Sequence, residues 1–479
     1  MSKLVEKVKS WLENWGWTYK AEEEFGLNIA TRDTTLRFIK DCVDAYEGHP
    51  YWADDADIRT INVAETVCAE VARLATLNIG ISISGENGGK SARAEYLQEE
   101  VDKILSKLRQ WVEFGCANGE IIIKPNGYTI DIVFPSQYIV TEEIGKEIIG
   151  IVFMDGYYNS RNEKYYTRLE YHRIENEKYY ISNRCYIGEN EGDLKRRVPI
   201  QETLWHDLKE DVIATGVDKM LFGMFKLPIA NNINPKSNRS LPLFSNALEE
   251  LSDVDVAYSR MTREIFDSKR TVLLDSDRLM VGGGRIGSDQ KAVIVENAGL
   301  PDFVKMIDGT GSGDIYHEIN PTLNTDMRIH GLNTILSQIG YKCGFSNGYF
   351  VFNQKTGMVT ATQVESDDRR TLQLIGDVRA QLEECMRGLI YAIDRFADAY
   401  DLAPSGNYEV VFDFADITEN LEEDKIRWYG YVQSGHVPFW YYLTKFEGYT
   451  EKEAKEIGEM AREAQMEQMQ SMQLFAPPQ

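Results

Sequence analysis

The chain has 479 residues, enough for several regions with cores of their own, and its 43% hydrophobic content excludes wholesale disorder. A net charge of −24 argues against a tight duplex binder, because phosphate neutralisation needs a basic face. It suits a protein that handles a polyanion without gripping it, since an acidic wall lowers adhesion. The apolar runs fall far short of the ~20 residues of a bilayer span. With no basic-then-apolar leader and six cysteines scattered singly, the expectation is a soluble, unsecreted protein without disulfides or membrane contact.

Residues 1–60 read as a helical, aromatic-rich arm, with Trp11, Trp15 and Trp17 near its start and a Tyr51-Trp52 pair expected to pack the arm on something else. From Ile61, apolar positions at Val63, Val67, Val71 and Leu74 describe one buried helix face. Leu77–Ile83 reads as a strand and Ala92–Phe114 as a helix. Between 119 and 182, β-like runs are split by Gly, Asn and Lys turns, giving an α+β body.

Pro242 is placed in the first turn of a long helix, where its missing N–H costs nothing. That helix carries a stripe of Phe244, Ala247, Leu251, Val254, Tyr258, Met261 and Ile265. A return helix, Thr325–Tyr341, carries Ile329, Leu332, Leu336 and Ile339. The two stripes can face each other as a plain hairpin. The preferred expectation is that both also pack on copies of the chain, because so small a hairpin cannot bury both alone. Between them, 270–322 is a compact β-rich insert with strand-like Thr271–Leu274 and Ala292–Val295 and glycine runs at 282–284 and 309–313.

Residues 345–365 read as two strand-like runs joined by the polar turn Asn353-Gln354-Lys355-Thr356-Gly357. A second long helix of about 45–50 Å follows from about Ser366 to Asp398, striped by Ile375, Val378, Leu382, Cys385, Leu389, Ile393 and Phe396. A finger held between two rods is mechanical anatomy rather than a small-molecule site. Tyr408–Phe414 alternates like a strand, 417–466 is a helical finish with a capping box at Thr450-Glu-Lys-Glu453, and 467–479 is a flexible tail.

Chemistry-bearing motifs are scarce. Ser84-Gly-Glu-Asn-Gly-Gly-Lys-Ser91 follows a strand and precedes a helix, as a phosphate-binding loop does. Gly89, Lys90 and Ser91 fit G-x-x-x-x-G-K-[ST], but the opening glycine is Ser84. The one tolerable magnesium carboxylate is Asp413. A nucleotide-binding ATPase using the 84–91 turn is therefore the alternative function, set against an ordinary Gly- and Asn-rich turn. The six histidines are scattered, so no metal site and no cofactor are expected. No carboxylate pair, Ser/His/Asp order or Cys/His order has support, and an enzyme is not expected.

Three stretches, in order, carry a family resemblance. They are Ile61-Asn-Val-Ala-Glu-Thr-Val-Cys-Ala-Glu-Val-Ala72, then Pro242-Leu-Phe-Ser-Asn-Ala-Leu-Glu-Glu-Leu251 with Asp255 and Tyr258, then Gly344-Phe-Ser-Asn-Gly-Tyr-Phe-Val-Phe352 with Thr356-Gly and Thr360-Ala-Thr-Gln-Val-Glu-Ser366. Over most of 55–465 the chain resembles a tailed-bacteriophage portal protein, of the type found in long-tailed phages of Gram-positive hosts. The resemblance implies a portal fold: a wing (61–241 and 364–416, including a wing-spanning helix), two stem helices (242–269 and 323–341), a small β-rich clip (270–322), a tunnel-loop region (342–363) and a helical crown (417–466).

It also implies a homo-dodecameric ring at one capsid vertex, assembled in the host cytoplasm. Such a ring is a conduit for packaging and ejecting double-stranded DNA, without sequence specificity. The implied partners are the large terminase subunit, head-completion or adaptor proteins, and the major capsid and scaffolding proteins. The tunnel loop places Asn353, Gln354, Lys355, Thr356 and Gly357 at the channel, with Lys355 nearest phosphate. In the clip, Arg278, Arg285 and Lys291 are the expected docking residues for motor or adaptor. The N-terminal 50 residues match least, and their role stays open.

Overall fold

Glycines and left-handed residues mark where the elements begin and end. The computed structural model describes residues 17–28, 34–54, 57–126, 129–145, 147–190, 192–268, 271–275, 304–307, 316–319, 324–352, 361–414, 421–447, 449, 453–455, 457–458 and 460. The chain divides into two units, Met1–Phe414 and Ala415–Gln479.

The first unit opens with helix α1 over residues 17–25, followed by α2, Thr34–Tyr46. Helix α3, Val63–Ala75, starts after Asn62, whose φ of 53° is a left-handed value that Asn tolerates better than most residues. Val63, Val67, Val71 and Leu74 are all buried, as the spacing requires. Strand β1 is Gly80–Gly85. The expected start at Leu77 fails because Asn78 turns left-handed at φ 49° and breaks the extended run. Helix α4, Ala92–Asn118, runs one turn past expectation. It stops at Gly119, with φ 83°, where a Cβ would lie 2.5 Å from the Leu241 carbonyl carbon, so only glycine fits.

Strands β2 (Glu120–Pro125), β3 (Ile130–Val133) and β10 (Gly223–Lys226) form an antiparallel sheet in the order β10-β2-β3. Strands β4 (Tyr138–Ile144), β5 (Glu147–Asn159), β6 (Lys164–Glu175), β7 (Lys178–Gly188) and β8 (Arg196–Val198) form a meander in that order. Strand β9, Asp211–Thr215, pairs with β7. One face of this sheet buries Tyr138, Ile151, Phe153 and Tyr179 with Ile122, Phe222 and Ala392. The other buries Val152, Leu169, Tyr171 and Tyr186 under Trp17 and Ala21 of α1. The N-terminal arm is thus a working part of the core.

Helix α5 is Leu248–Asp267 and helix α6 is Thr325–Lys342. Pro242 does not begin α5. The Leu243 N–H donates to the Cys116 carbonyl at the end of α4 (2.9 Å), and the Ser245 N–H donates to the Pro242 carbonyl (3.0 Å). Those tertiary and tight-turn bonds hold 242–247 out of the helix. Between α5 and α6 lie β11 (Thr271–Asp275), β12 (Val304–Ile307) and β13 (Tyr316–Ile319), in the order β12-β11-β13. The described residues of the insert are these three strands, while Ala292–Val295 falls outside the described residues.

Residues 345–352 are not a strand. Residues 347–350 turn, and Phe345 and Phe350 pack edge-to-face with centroids 4.8 Å apart. The second expected strand-like run fails at its end, because α7 already begins at Ala361 and continues to Ala399. Its 39 residues span about 58 Å, longer than expected for that reason. Every member of its stripe from Ile375 to Ile393 is buried. Strand β14, Tyr408–Asp413, pairs antiparallel with β1.

In the second unit, α8 (Leu421–Gln433) and α9 (Phe439–Phe446) are aromatic-rich, and Lys445 Nζ sits 4.2 Å from the Trp428 ring centroid. The capping box at Thr450 falls outside the described residues.

Candidate functional site

The α5–α6 pair is the chain's mechanical projection. Lys342 near the end of α6 bonds Glu250 near the start of α5 at 2.6 Å, and Arg328 near the start of α6 pairs with Glu264 near the end of α5. The helices are therefore antiparallel and clamped at both ends. At the root, Leu248, Leu251 and Val254 meet Leu332, Leu336 and Ile339 in the buried core. Further along, cover runs out. Ile265 is 50% exposed, Phe266 68% and Met327 76%. Ile265 and Met327, apolar at that exposure on one helix pair, are surface that the described residues leave open.

Two devices fix α7. Arg93, on the first turn of α4, is fully buried; its Nε donates to the Pro404 carbonyl (3.0 Å), its Nη1 to the Asp394 carbonyl (3.1 Å), and its Nη2 pairs with Asp398. Arg379 caps α3, donating to the carbonyls of Ala75 (3.2 Å) and Leu74 (3.1 Å), where a helix leaves acceptors unused. Gly223 and Gly388 let β10 lie directly on α7, since a Cβ at Gly223 would be 2.1 Å from the Cys385 carbonyl oxygen.

The segment before α7 is anchored twice. The Phe352 N–H donates to Asn333 Oδ1 on α6 (3.0 Å), and the Tyr349 hydroxyl donates to Glu70 on α3. Asn353, Gln354, Lys355, Thr356 and Gly357, which follow, lie outside the described residues, as do Arg278, Arg285 and Lys291.

The 84–91 turn does not build a nucleotide site. The Gly85 N–H donates to the Gly89 carbonyl (2.8 Å), and the Ser91 hydroxyl accepts the Ala94 N–H as the N-cap of α4. Asp413 pairs with Gly80, at the far end of β1 from the turn. Five strand positions put it roughly 17 Å from Gly85, out of reach of a metal held there. The pairing is antiparallel and two-stranded, unlike the parallel sheet of a phosphate-binding loop.

A buried polar cluster inside the meander was not visible in the sequence. Glu170 takes Lys124 (2.5 Å), Arg168 (2.9 Å) and His172 Nε2 (2.7 Å). Because the carboxylate only accepts, Nε2 carries the proton, and Nδ1 accepts from the Tyr179 hydroxyl at 2.6 Å. The Tyr179 oxygen in turn accepts the Leu221 N–H at 3.2 Å. Burial alone would push Glu170 up, but Arg168, Lys124 and His172 outweigh it and hold the carboxyl well below its usual range. Burial pulls His172 and Lys124 down. Arg168, Glu170 and His172 alternate along β6, Tyr179 follows on β7, and Lys124 joins them from β2, 46 residues before Glu170. The cluster's charges pair with one another, so it reads as structural.

A family model described as "Phage portal protein, SPP1 Gp6-like" matches residues 131–470. The chain belongs to that family. It is a phage portal protein, a head–tail connector, and it is a structural protein rather than an enzyme. The ATPase alternative is thereby set aside. No curated protein matches the chain. Among solved structures, a chain of an assembly described as "Neck of empty GTA particle computed with C6 symmetry" is similar at 9% identity and a TM-score of 0.41, covering 88% of this portal chain and 94% of its own length.

Proposed function

We propose that this portal protein closes into a homo-dodecameric ring at one capsid vertex, through which double-stranded DNA is packaged and ejected. One observation carries the reading. The far half of the α5–α6 pair exposes Ile265 and Met327, which the described residues leave uncovered. An identical neighbour related by a rotation that closes can cover them both, and a heterologous contact of that kind makes a ring.

In this reading α5 and α6 are the stem and 270–322 is the clip, with Arg278, Arg285 and Lys291 meeting the terminase motor and later the adaptor. Residues 353–357 reach the channel, where Lys355, repeated around the ring, makes a weak annular contact with phosphate. The charge of −24 keeps that contact loose. Residues 61–241 and 364–416 form the wing, 417–466 the crown, and capsid and scaffolding proteins contact the periphery.

Native mass measurement of the purified full chain tests the ring. The expected result is a closed oligomer of twelve copies, lost on Ile265→Asp while the monomer stays folded. A strictly monomeric chain at all concentrations contradicts it.

A further inference from the structure

The N-terminal arm is tied to α5 at the point where the helix pair leaves the body. Asp255 is a carboxylate with only 3% exposure, and no cation neutralises it in the described residues. Its Oδ2 accepts the Trp52 Nε1–H at 2.9 Å, and its Oδ1 accepts the Ile61 N–H at 3.0 Å. One turn on, Ser259 Oγ accepts the Arg59 N–H at 2.7 Å and donates back to the Asp255 carbonyl at 2.8 Å. Three residues past Arg59, the run ends at Asn62, held left-handed with its Nδ2 on the Tyr46 carbonyl at 3.0 Å. Residues 51–54 and 57–61 therefore tie to α5 as a strap, locked at one end by a capping residue and at the other by an indole.

The position of the strap matters more than its strength. Val254 is the last apolar residue of α5 that the core buries, and Asp255 and Ser259 come next. Beyond them α5 has no fully buried apolar residue, and Arg263 pairs with Asp57 of the strap at 3.2 Å. Burying an uncompensated carboxylate for two N–H donors is a costly way to hold a helix. It gives direction rather than net stability, because Oδ1 and Oδ2 each have one fixed donor.

We propose that residues 51–61, anchored on Asp255, are a positioning strap that sets the angle at which the α5–α6 pair leaves the body, and so sets how many copies close the ring. This rests on the reading of α5–α6 as the ring-forming stem. A twelve-copy ring turns about 30° per copy and a thirteen-copy ring about 28°. A tilt of a few degrees at the root therefore separates one closure from the next. The role left open for the N-terminal arm is then geometric: the arm is a gauge for ring size.

The test uses the full-length chain in two readouts. Hydrogen exchange on the unassembled protein reads the strap, and native mass spectrometry on assembled rings reads the copy number. In Asp255→Asn the amide turns a donor toward the Trp52 N–H, and in Trp52→Phe the carboxylate loses its indole. Each is expected to speed exchange in 51–61 at least tenfold, leave α3 and α4 unchanged, and spread the copy number from one value to several. The double variant removes both the clash and the missing donor, and should move both readouts back toward the parent. Ser259→Ala, which removes a neutral acceptor, replaces Asp255→Asn if the latter does not fold. Unchanged exchange overturns the strap. Faster exchange with an unchanged copy number overturns its effect on ring closure. A parent chain that forms no ring overturns the stem reading and, with it, the strap's effect on ring size, leaving only the exchange result for the strap.

Discussion

In α7 the apolar stripe from Ile375 to Ile393 is buried at every position, against β2, β10, α3 and α4 of the same chain. In α5 the same spacing of three and four is fully buried only as far as Val254, half-buried at Tyr258 and Met261, and exposed at Ile265. The two helices are alike as patterns and differ in what surrounds them. A stripe says where a face is and not what covers it. Where the fold supplies the cover, the stripe is core. Where it does not, the stripe marks an interface, and the two kinds of position respond differently to substitution.

The sharpest way to break this comparison is a matched pair of truncations. Leu382→Ala in α7 opens a cavity in a filled core and should cost about 2–5 kcal/mol in chemical denaturation of the monomer. Ile265→Ala should change monomer stability by no more than about 0.5 kcal/mol while lowering ring yield at least tenfold. Equal losses of monomer stability would remove the distinction between the two helices.

The contact between β10 and α7 gives the next effect in size. Gly223→Ala drives a methyl into the Cys385 carbonyl and should cost about 1–3 kcal/mol, with near-UV circular dichroism reporting the shifted packing. An unaffected variant would mean that the long helix is less tightly held than its buried stripe implies.

Acid should loosen the body before the helix pair. Burial holds His172 below its ordinary 6.5, so the unfolded chain takes up that proton first and stability falls as pH drops below 6.5. Glu170 is held below 4.5 in the fold, so its contribution is present above 4.5 and is lost as pH falls through the depressed value. Both act in the same direction, in two successive windows. His172→Gln should flatten the upper window in denaturation midpoints measured from pH 7 to pH 5. A parent protein with no loss of stability in that interval would contradict the assignment of a neutral, proton-donating Nε2.

Lys90→Ala should be the mildest change. Lys90 is exposed and the 84–91 turn is closed by its own backbone, so stability and ring formation should match the parent in denaturation and native mass measurements. ATP hydrolysis by the isolated ring that this substitution abolished would reverse that view. Lys355→Glu tests the channel contact: ring assembly survives, while packaging or DNA retention falls in an in vitro assay.

Much of the fold could be read from periodicity. The faces of α3 and α7 follow from their apolar positions, and α6 ends one residue from its expected limit. The failures share a cause. Pro242 looked like a helix start and Tyr349–Phe352 like a strand, but bonds to Cys116, Glu70 and Asn333 decide those segments. Such partners are distant in sequence and leave no periodic trace. Arg168, Glu170 and His172 alternate along one strand, but that their face is buried, and that Lys124 closes the cluster from 46 residues away, left no such trace. Trp52 was legible as an aromatic needing a neighbour, but that the neighbour is Asp255, 203 residues away, was not.

Methionine oxidation footprinting of the full chain, compared between monomer and assembled ring, tests the central claim most directly. Met327 is 76% exposed and Met386 is fully buried, so one chain carries both probe and internal control. Met327 should oxidise readily in the monomer and be protected at least tenfold in the ring, with Met386 resistant in both. An assembled ring in which Met327 oxidises at the monomer's rate would contradict the claim that neighbouring copies cover the α5–α6 face.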